Sequence, residues 1–375
     1  MGNTSASIFN LLSFLLLIQI GFLVDMFEAQ PFTALYTFGD SNMAPQSASS
    51  GKSHMPYGID LPYHLYHVGF SNGLSISDFL DDLLGFKPGI PYLEADDATK
   101  MNGSESGFNY AYGSATIRPP RGPTTGLSME MARQVNLFEE TLYRYIETTV
   151  ENKTLYLSLA LFAVSIGNND LMHLVPRADH NETKFDLYLD HLMGNLTVQF
   201  KRLYELGARR FLVFNIGPLG CYPIWLTTTS DSKAKCNEDI NRLVSLYNGK
   251  LADKMDYLNC ELSSSTFTIA NTYKLVHEII NTRKYGFSDV TNSCCPVQSP
   301  GGFCVHMGVP CLDRKKTLFW DKLHLTEAAN KILVTKCYSG DGDICFPWSI
   351  RDLQKTLVSE SSMLLNVFCD LIAKF

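Results

Sequence analysis

Cysteine is missing from the N-terminal half of this 375-residue chain: all ten fall at or after Cys221. Any covalent stapling is therefore confined to the C-terminal half. Runs of basic charge are missing too. Lys and Arg number 31 against 38 Asp and Glu, a formal net charge of −7. That balance excludes nucleic acid as a partner, because binding a phosphate backbone needs clustered cations. Past the N-terminal segment no stretch approaches the roughly 18 uninterrupted apolar residues of a membrane-spanning helix, so no integral span is expected in the mature chain. Tight Cys-x-x-Cys pairs are absent, and His54, His64, His67 and His173 show no metal-ligand spacing. Neither a metal nor another cofactor is expected. There is no internal repeat and no low-complexity tract.

What is present begins with a targeting signal. Ile8 to Val24 is apolar, interrupted by Asn10, Ser13 and Gln19, and Phe27-Glu28-Ala29 puts a small residue before Gln30. Residues 1–29 read as a secretory signal, although no Lys or Arg precedes the apolar stretch. An oxidising compartment would pair the cysteines. Cys294-Cys295, Cys304 and Cys311 form one cluster, and Cys221 with Cys236 encloses a short loop, but spacing leaves the connectivity open. Asn102, Asn152, Asn181 and Asn195 head Asn-x-Ser/Thr triplets, more than chance supplies, and are candidate glycosylation sites.

The remaining length and a 45% hydrophobic content suit one large domain, residues 30–345, followed by a tail, 346–375, in which Leu353, Leu357 and Leu364 suggest a helix packed back on it. Strand-like runs fall at Ala34–Phe38, Phe108–Ala111, Leu155–Ile166, Phe211–Ile216 and Thr266–Ala270. Helical periodicity lies between them: Ile76, Phe79, Leu80 and Leu83, then Lys184–Leu206, Asn237–Asn259 and Glu327–Cys337. Apolar strands alternating with amphipathic helices argue a parallel sheet covered on both faces. Lys87–Ser106, rich in Gly, Pro and acidic residues, reads as a surface excursion. Ser41 follows the first strand, Gly113 the second, Gly167-Asn168-Asn169-Asp170 the third and Gly217-Pro218 the fourth. Residues after strand ends share one rim of a parallel sheet, where ligands bind.

That rim collects the parts of an acyl-transfer site. Ser41 is a serine on a strand-end turn, and it becomes a nucleophile only if a base takes its proton. His324 is the candidate base, and Asp321, three residues earlier, can reach its Nδ1 and fix the tautomer. The Ser41 N–H, the Gly113 N–H and the Asn169 amide are candidate oxyanion donors. Asp40 reads as a structural turn residue, and Asp170 as a cap on the segment that follows it.

With these residues assembled, the chain resembles the plant branch of the GDSL (SGNH) esterase/lipase family, from Leu35 to about Ser339. Phe38-Gly39-Asp40-Ser41, Gly107-Phe108-Asn109-Tyr110-Ala111-Tyr112-Gly113, Ser165-Ile166-Gly167-Asn168-Asn169-Asp170 and Phe319-Trp320-Asp321-Lys322-Leu323-His324 look like its four blocks, in family order. Connectors such as Pro56-Tyr57-Gly58 agree as well. The resemblance implies a three-layer α/β/α sandwich with a central parallel, flavodoxin-like sheet, and serine ester hydrolysis without a cofactor. It implies Ser41 as nucleophile, Asp321 and His324 as its partners, and Gly113 and Asn169 as oxyanion donors.

Three positions depart from the family pattern. Asn42 stands where Leu is usual, Ala44 where Asp is common, and Leu325 where Pro follows the histidine. If the glycine-block donor lies one residue later, the Ser114 N–H would serve. The expectation is a secreted, extracellular monomer, in the apoplast or cell wall if the source is a plant. It would cleave small-molecule or lipid esters: acyl lipids, or acetylated cell-wall and specialised metabolites. An acyltransferase on the same site, or a catalytically weakened binding protein of the same fold, are the alternatives.

Overall fold

The computed structural model describes residues 31–44, 55–62, 68–103, 106–119, 129–174, 182–228, 234–299 and 301–355. The expected signal segment, Asn181, His54, His64, His67, Leu357 and Leu364 lie outside them. The main sheet has seven strands: β1 (Leu35–Gly39), β2 (Ile90–Pro91), β3 (Phe108–Asn109), β4 (Leu161–Ser165), β5 (Arg210–Phe214), β6 (Thr266–Ala270) and β7 (Cys345–Phe346). Their order is β7-β6-β5-β4-β1-β3-β2, with every pair parallel except β7 against β6. Without the outer strands β2 and β7, the sequence order across the sheet is 2-1-3-4-5, the flavodoxin-like winding. β1, β4 and β5 are buried at every position, which explains their largely apolar character; Thr37, Ser165 and Arg210 are the buried polar residues among them.

Side-chain alternation sorts the two faces. Tyr36, Phe162, Phe211 and Phe267 occupy one cross-strand register, so their rings form a row across four strands. Tyr36 and Phe162 have centroids 5.2 Å apart, Phe162 and Phe211 5.8 Å, and Phe211 stacks on Phe267 at 4.2 Å. The helices are α1 (Ile76–Leu84), α2 (Asp97–Gly103), α3 (Met131–Thr141), α4 (Lys153–Leu159), α5 (Asn168–Leu174), α6 (Glu182–Glu205), α7 (Glu238–Glu261), α8 (Thr272–Thr282), α9 (Glu327–Ser339) and α10 (Ile350–Lys355). Phe138 of α3 meets Tyr36 and Phe162 edge-on, and Phe200 of α6 does the same to Phe211 and Phe267. α3, α6 and α7 thus cover the aromatic face. The other face carries Asn109, which donates from Nδ2 to Ser77 Oγ of α1 at 3.2 Å, and α1 packs on α9. The result is a three-layer α/β/α sandwich.

Three expectations change in detail. The run Leu155–Ile166 is not one strand: α4 takes its first part and β4 its second, with Ala160 between. A continuous apolar run does not distinguish the two by periodicity, and Asn152 decides the outcome by accepting the Leu155 N–H as an N-cap. The excursion Lys87–Ser106 contains β2, an added edge strand, and α2. β7 spans the junction expected between domain and tail, and α10 beyond it buries Ile350 and Leu353. The aromatic row predicts that Phe211→Ala lowers stability by about 3–5 kcal/mol, read from urea unfolding midpoints, because no neighbour on a rigid sheet can fill the hole.

Candidate active site

The chain leaves β1 toward β3 on one side and comes back to β4 on the other, so the crevice at the carboxyl ends of β1 and β4 is the topological switch point. Gly39 ends β1 there with φ of 136°. A Cβ at that position would lie 1.9 Å from the Ser165 carbonyl oxygen, so only glycine lets the two strands meet. Gln134 of α3, fully buried, accepts from the Gly39 N–H at 2.7 Å and donates to its carbonyl at 2.9 Å. Asp40 closes the turn that follows. Its carboxylate accepts from the Asn42 N–H at 3.1 Å and from Asn168 Nδ2 at 2.9 Å, and its carbonyl from the Met43 and Ala44 N–H groups. The atypical segment after Ser41 is anchored from α1 and β3 as well: the Met43 carbonyl accepts from Ser77 Oγ and Asn109 Nδ2. Ser41 is left half-buried at the mouth of the crevice.

The partner residues arrive on a separate small ribbon, Asp289–Ser293 paired parallel with Thr317–Phe319. The chain then turns tightly. Asp321 Oδ1 accepts from the Leu323 and His324 N–H groups at 2.7 and 2.8 Å, which is why an Asp-x-x-His spacing folds into one unit. His324 Nδ1 lies 2.8 Å from Asp321 Oδ2, and Nε2 lies 2.8 Å from Ser41 Oγ. A carboxylate only accepts, so Nδ1 carries the proton and Nε2 is the acceptor for the serine hydroxyl.

Sequence reasoning missed the third group on Asp321. Tyr57 donates its hydroxyl to Asp321 Oδ2 at 2.7 Å and accepts from the Cys304 N–H at 3.1 Å. Burial, and then the Asp321 charge, hold the Tyr57 phenol well above its ordinary range, so it stays a donor. Its ring packs edge-on against Trp320 and Phe70, and Phe70 lies 5.1 Å from the His324 ring. The only signal was its place in the connector Pro56-Tyr57-Gly58. Gln134 also went unseen, although a glutamine between Met131, Val135 and Phe138 is a polar residue on a core-facing helical stripe.

Ser41 and His324 open onto a cleft at this rim. Asn42, Phe70, Ser114, Asn168, Asn169, Met172, Leu219, Tyr222, Ile224, Trp225, Phe303 and Leu323 complete its lining. The glycine-block loop contributes Ser114, with φ of 65°, whereas Gly113 is buried beside it. Asn169 Nδ2 donates one hydrogen to the Ala115 carbonyl at 2.9 Å, and an amide nitrogen carries a second. Asp170 holds the same loop, accepting the Ile117 N–H at 2.9 Å, instead of only capping α5. Leu219, Tyr222, Ile224 and Trp225 follow β5, on a segment tied down by the Cys221–Cys236 disulfide. Of the candidate glycosylation sites, Asn102, Asn152 and Asn195 are exposed, away from this rim.

A sequence model described as GDSL-like lipase/acylhydrolase matches residues 35–336. The chain belongs to the GDSL lipase/acylhydrolase family. The Arabidopsis thaliana protein GDSL esterase/lipase At5g41890 is 34% identical, over 87% of this chain and 94% of that protein. GDSL esterase/lipase 7 of the same plant is 32% identical, over 88% and 94%. A catalytic mutant of Axe2, an acetylxylan esterase from Geobacillus stearothermophilus, aligns at 12% identity over 83% of this chain and 94% of that one, with a TM-score of 0.37, too loose to bear on the site. Membership in the family accounts for the order of the four blocks along the chain, and the sheet explains why that order brings them to one crevice.

Two buried carboxyls beside the cleft set a pH dependence. Burial pushes Asp40 up from 3.8 to about 6, against the hydrogen bonds from Asn168 and Asn42, and burial pushes Asp170 up to about 7. Both groups keep protons in the folded state that the unfolded chain has released. Their stabilising contribution is complete below pH 3.8 and is lost as the pH rises through about 6 and 7. Urea midpoints measured over that window should fall with rising pH, and Asp170→Asn should flatten the upper part of the slope. A second prediction concerns Tyr57. Tyr57→Phe keeps the packed ring but removes the donor that fixes the Asp321 carboxylate beside His324 Nδ1. Turnover should fall by about tenfold with KM little changed. The same substitution in an Asp321→Asn background should have no further effect, and an equal loss in both backgrounds would refute the link.

Proposed function

We propose that this chain is a carboxylic-ester hydrolase in which Ser41 Oγ is the nucleophile. The observation that carries the reading is the 2.8 Å contact from His324 Nε2 to Ser41 Oγ, backed by Asp321 at Nδ1 and sited at the switch point of the sheet. Ser41 Oγ attacks the ester carbonyl carbon while its proton passes to Nε2, and Asp321 stabilises the imidazolium. The resulting oxyanion takes hydrogen bonds from the Ser41 N–H, the second Asn169 Nδ2 hydrogen and the N–H of the Gly113-Ser114 segment. Since Ser114 lies on the cleft wall, its N–H is the donor we assign there, in preference to that of Gly113. Each such donor is worth about 2.7–4 kcal/mol in the transition state. Collapse expels the alcohol, which receives the proton from His324. A water, deprotonated by the same nitrogen, then attacks the acyl-Ser41 carbonyl and releases the acid.

The walls supplied by Phe70, Met172, Leu219, Ile224, Trp225 and Phe303 favour an ester with a substantial apolar part over a small acetyl group on a polar sugar. Disulfides Cys221–Cys236, Cys294–Cys311, Cys295–Cys304 and Cys337–Cys345, together with exposed sequon asparagines, support maturation in an oxidising secretory route. The apolar N-terminal segment supports residues 1–29 as the signal that directs it there.

Ser41→Ala is expected to cut turnover of a short-chain aryl ester at least about a thousandfold and to abolish labelling by a fluorophosphonate. Folded mutant protein with unchanged turnover would end the reading. Wild-type protein that takes up no fluorophosphonate would favour the non-catalytic alternative. Transfer of the acyl group to an added alcohol, in preference to water, would favour an acyltransferase.

A further inference from the structure

Cys294 and Cys295 are consecutive, and their bridges run to Cys311 and Cys304. Both ends of the Cys304–Cys311 segment are therefore pinned to one point, and the residues between project as one short loop. Backbone bonds stiffen it: Val305 N–H to the Pro296 carbonyl at 2.7 Å, Met307 N–H to the Met55 carbonyl at 2.8 Å, and Gly308 N–H to the Val305 carbonyl at 2.9 Å. Apart from His306, its side chains suit an apolar medium. Met307 is 68% exposed, Val309 83%, and Leu312, just past the second bridge, 99%. Val305, and Met55 beside Met307, are each more than one-third exposed. Scattered exposed apolar residues are ordinary, but a clustered group on a loop that cannot fold back marks an interaction surface.

Two further observations say what meets it. At the base of the loop Phe303 lines the cleft, its ring centroid 6.1 Å from that of His324, so the apolar path begins where the scissile ester is expected to sit. Past the loop come Arg314, Lys315 and Lys316 in a single turn. Asp60 pairs with Arg314 and Asp313 with Lys316, and Lys315 faces Asp60 and Glu327, where Lys331 also lies, so this collar has an excess of about one positive charge on a chain of net charge −7. A second copy of the chain fits poorly, since a two-fold contact through the loop would set collar against collar. An apolar tip with a basic collar matches an anionic lipid surface.

We infer that the Phe303–Leu312 loop is an interfacial anchor that inserts into a bilayer bearing anionic headgroups and holds the cleft against it. The substrate class this implies, an ester drawn from a lipid surface, rests on the ester-hydrolase reading, whereas the binding itself does not. The test is flotation of the purified full mature chain with vesicles of equal parts phosphatidylcholine and phosphatidylglycerol. Wild type should float with these vesicles, more weakly with phosphatidylcholine alone, and less as salt is added. Val309→Asp/Leu312→Asp should stay unbound and lose about tenfold or more of its turnover on a long-chain ester presented in the vesicles. Its turnover on a soluble short-chain ester and its melting temperature should equal those of wild type. Lys315→Glu should weaken binding to the anionic vesicles only. Wild type that does not float, a double variant that floats as well as wild type, or a concentration-dependent dimer lost in the double variant would each overturn the inference. Ser41→Ala keeps the loop and should float normally, so a failure of the catalytic reading and a failure of the anchor register separately.

Discussion

The cleft depends on two backbones meeting at a distance only glycine permits. Gly39 brings the end of β1 against the Ser165 carbonyl at the end of β4, and that contact sets where the following turn begins. Gln134 then holds the Gly39 peptide by both its donor and its acceptor, and Asp40 holds the next residues from the inside. A serine on such a turn has little freedom, which catalysis requires, since a shift of about 1 Å in a reacting group can cost a hundredfold in rate. The unusual Asn42-Met43-Ala44 segment is compatible with this arrangement, because its anchors are backbone groups of the segment itself.

The two halves of the site are stabilised by different means. Ser41, Ser114 and Asn169 stand on a sheet whose aromatic row and covering helices provide a deep core. Asp321 and His324 stand outside that sheet, on a two-stranded ribbon over a small cluster of Tyr57, Trp320, Cys294, Cys295 and Cys304. A cluster of that size buries little surface, and the disulfides supply the constraint that packing does not. Two of the described disulfides, Cys294–Cys311 and Cys295–Cys304, serve this cluster, while Cys221–Cys236 ties down the segment after β5 and Cys337–Cys345 joins α9 to β7.

Much of this was legible in the sequence because its signals are local or periodic. The β1 and β6 runs, the spacing of α1, α6, α7 and α9, and the rim positions after each strand follow from period and punctuation alone. The grouping of Ser41 with Asp321-His324 needed the rule that parallel strands send their ends to one edge. What stayed hidden depends on contacts between distant segments. Nothing local in Tyr57 announces that it will meet Asp321, and the split of Leu155–Ile166 turned on one capping asparagine. The glycine block left Gly113 and Ser114 both open as the donor, and only the fold puts Ser114 on the cleft wall with Gly113 buried beside it.

Ser41 lies near the start of the chain and His324 near its end, a separation of 283 residues that only the finished fold closes. If the ribbon that carries His324 comes loose from the sheet, Ser41 Oγ loses its imidazole contact while its own turn, held by Gln134 and Asp40, stays in place. Loosening of the ribbon is thus a way to disconnect the pair without unfolding the core.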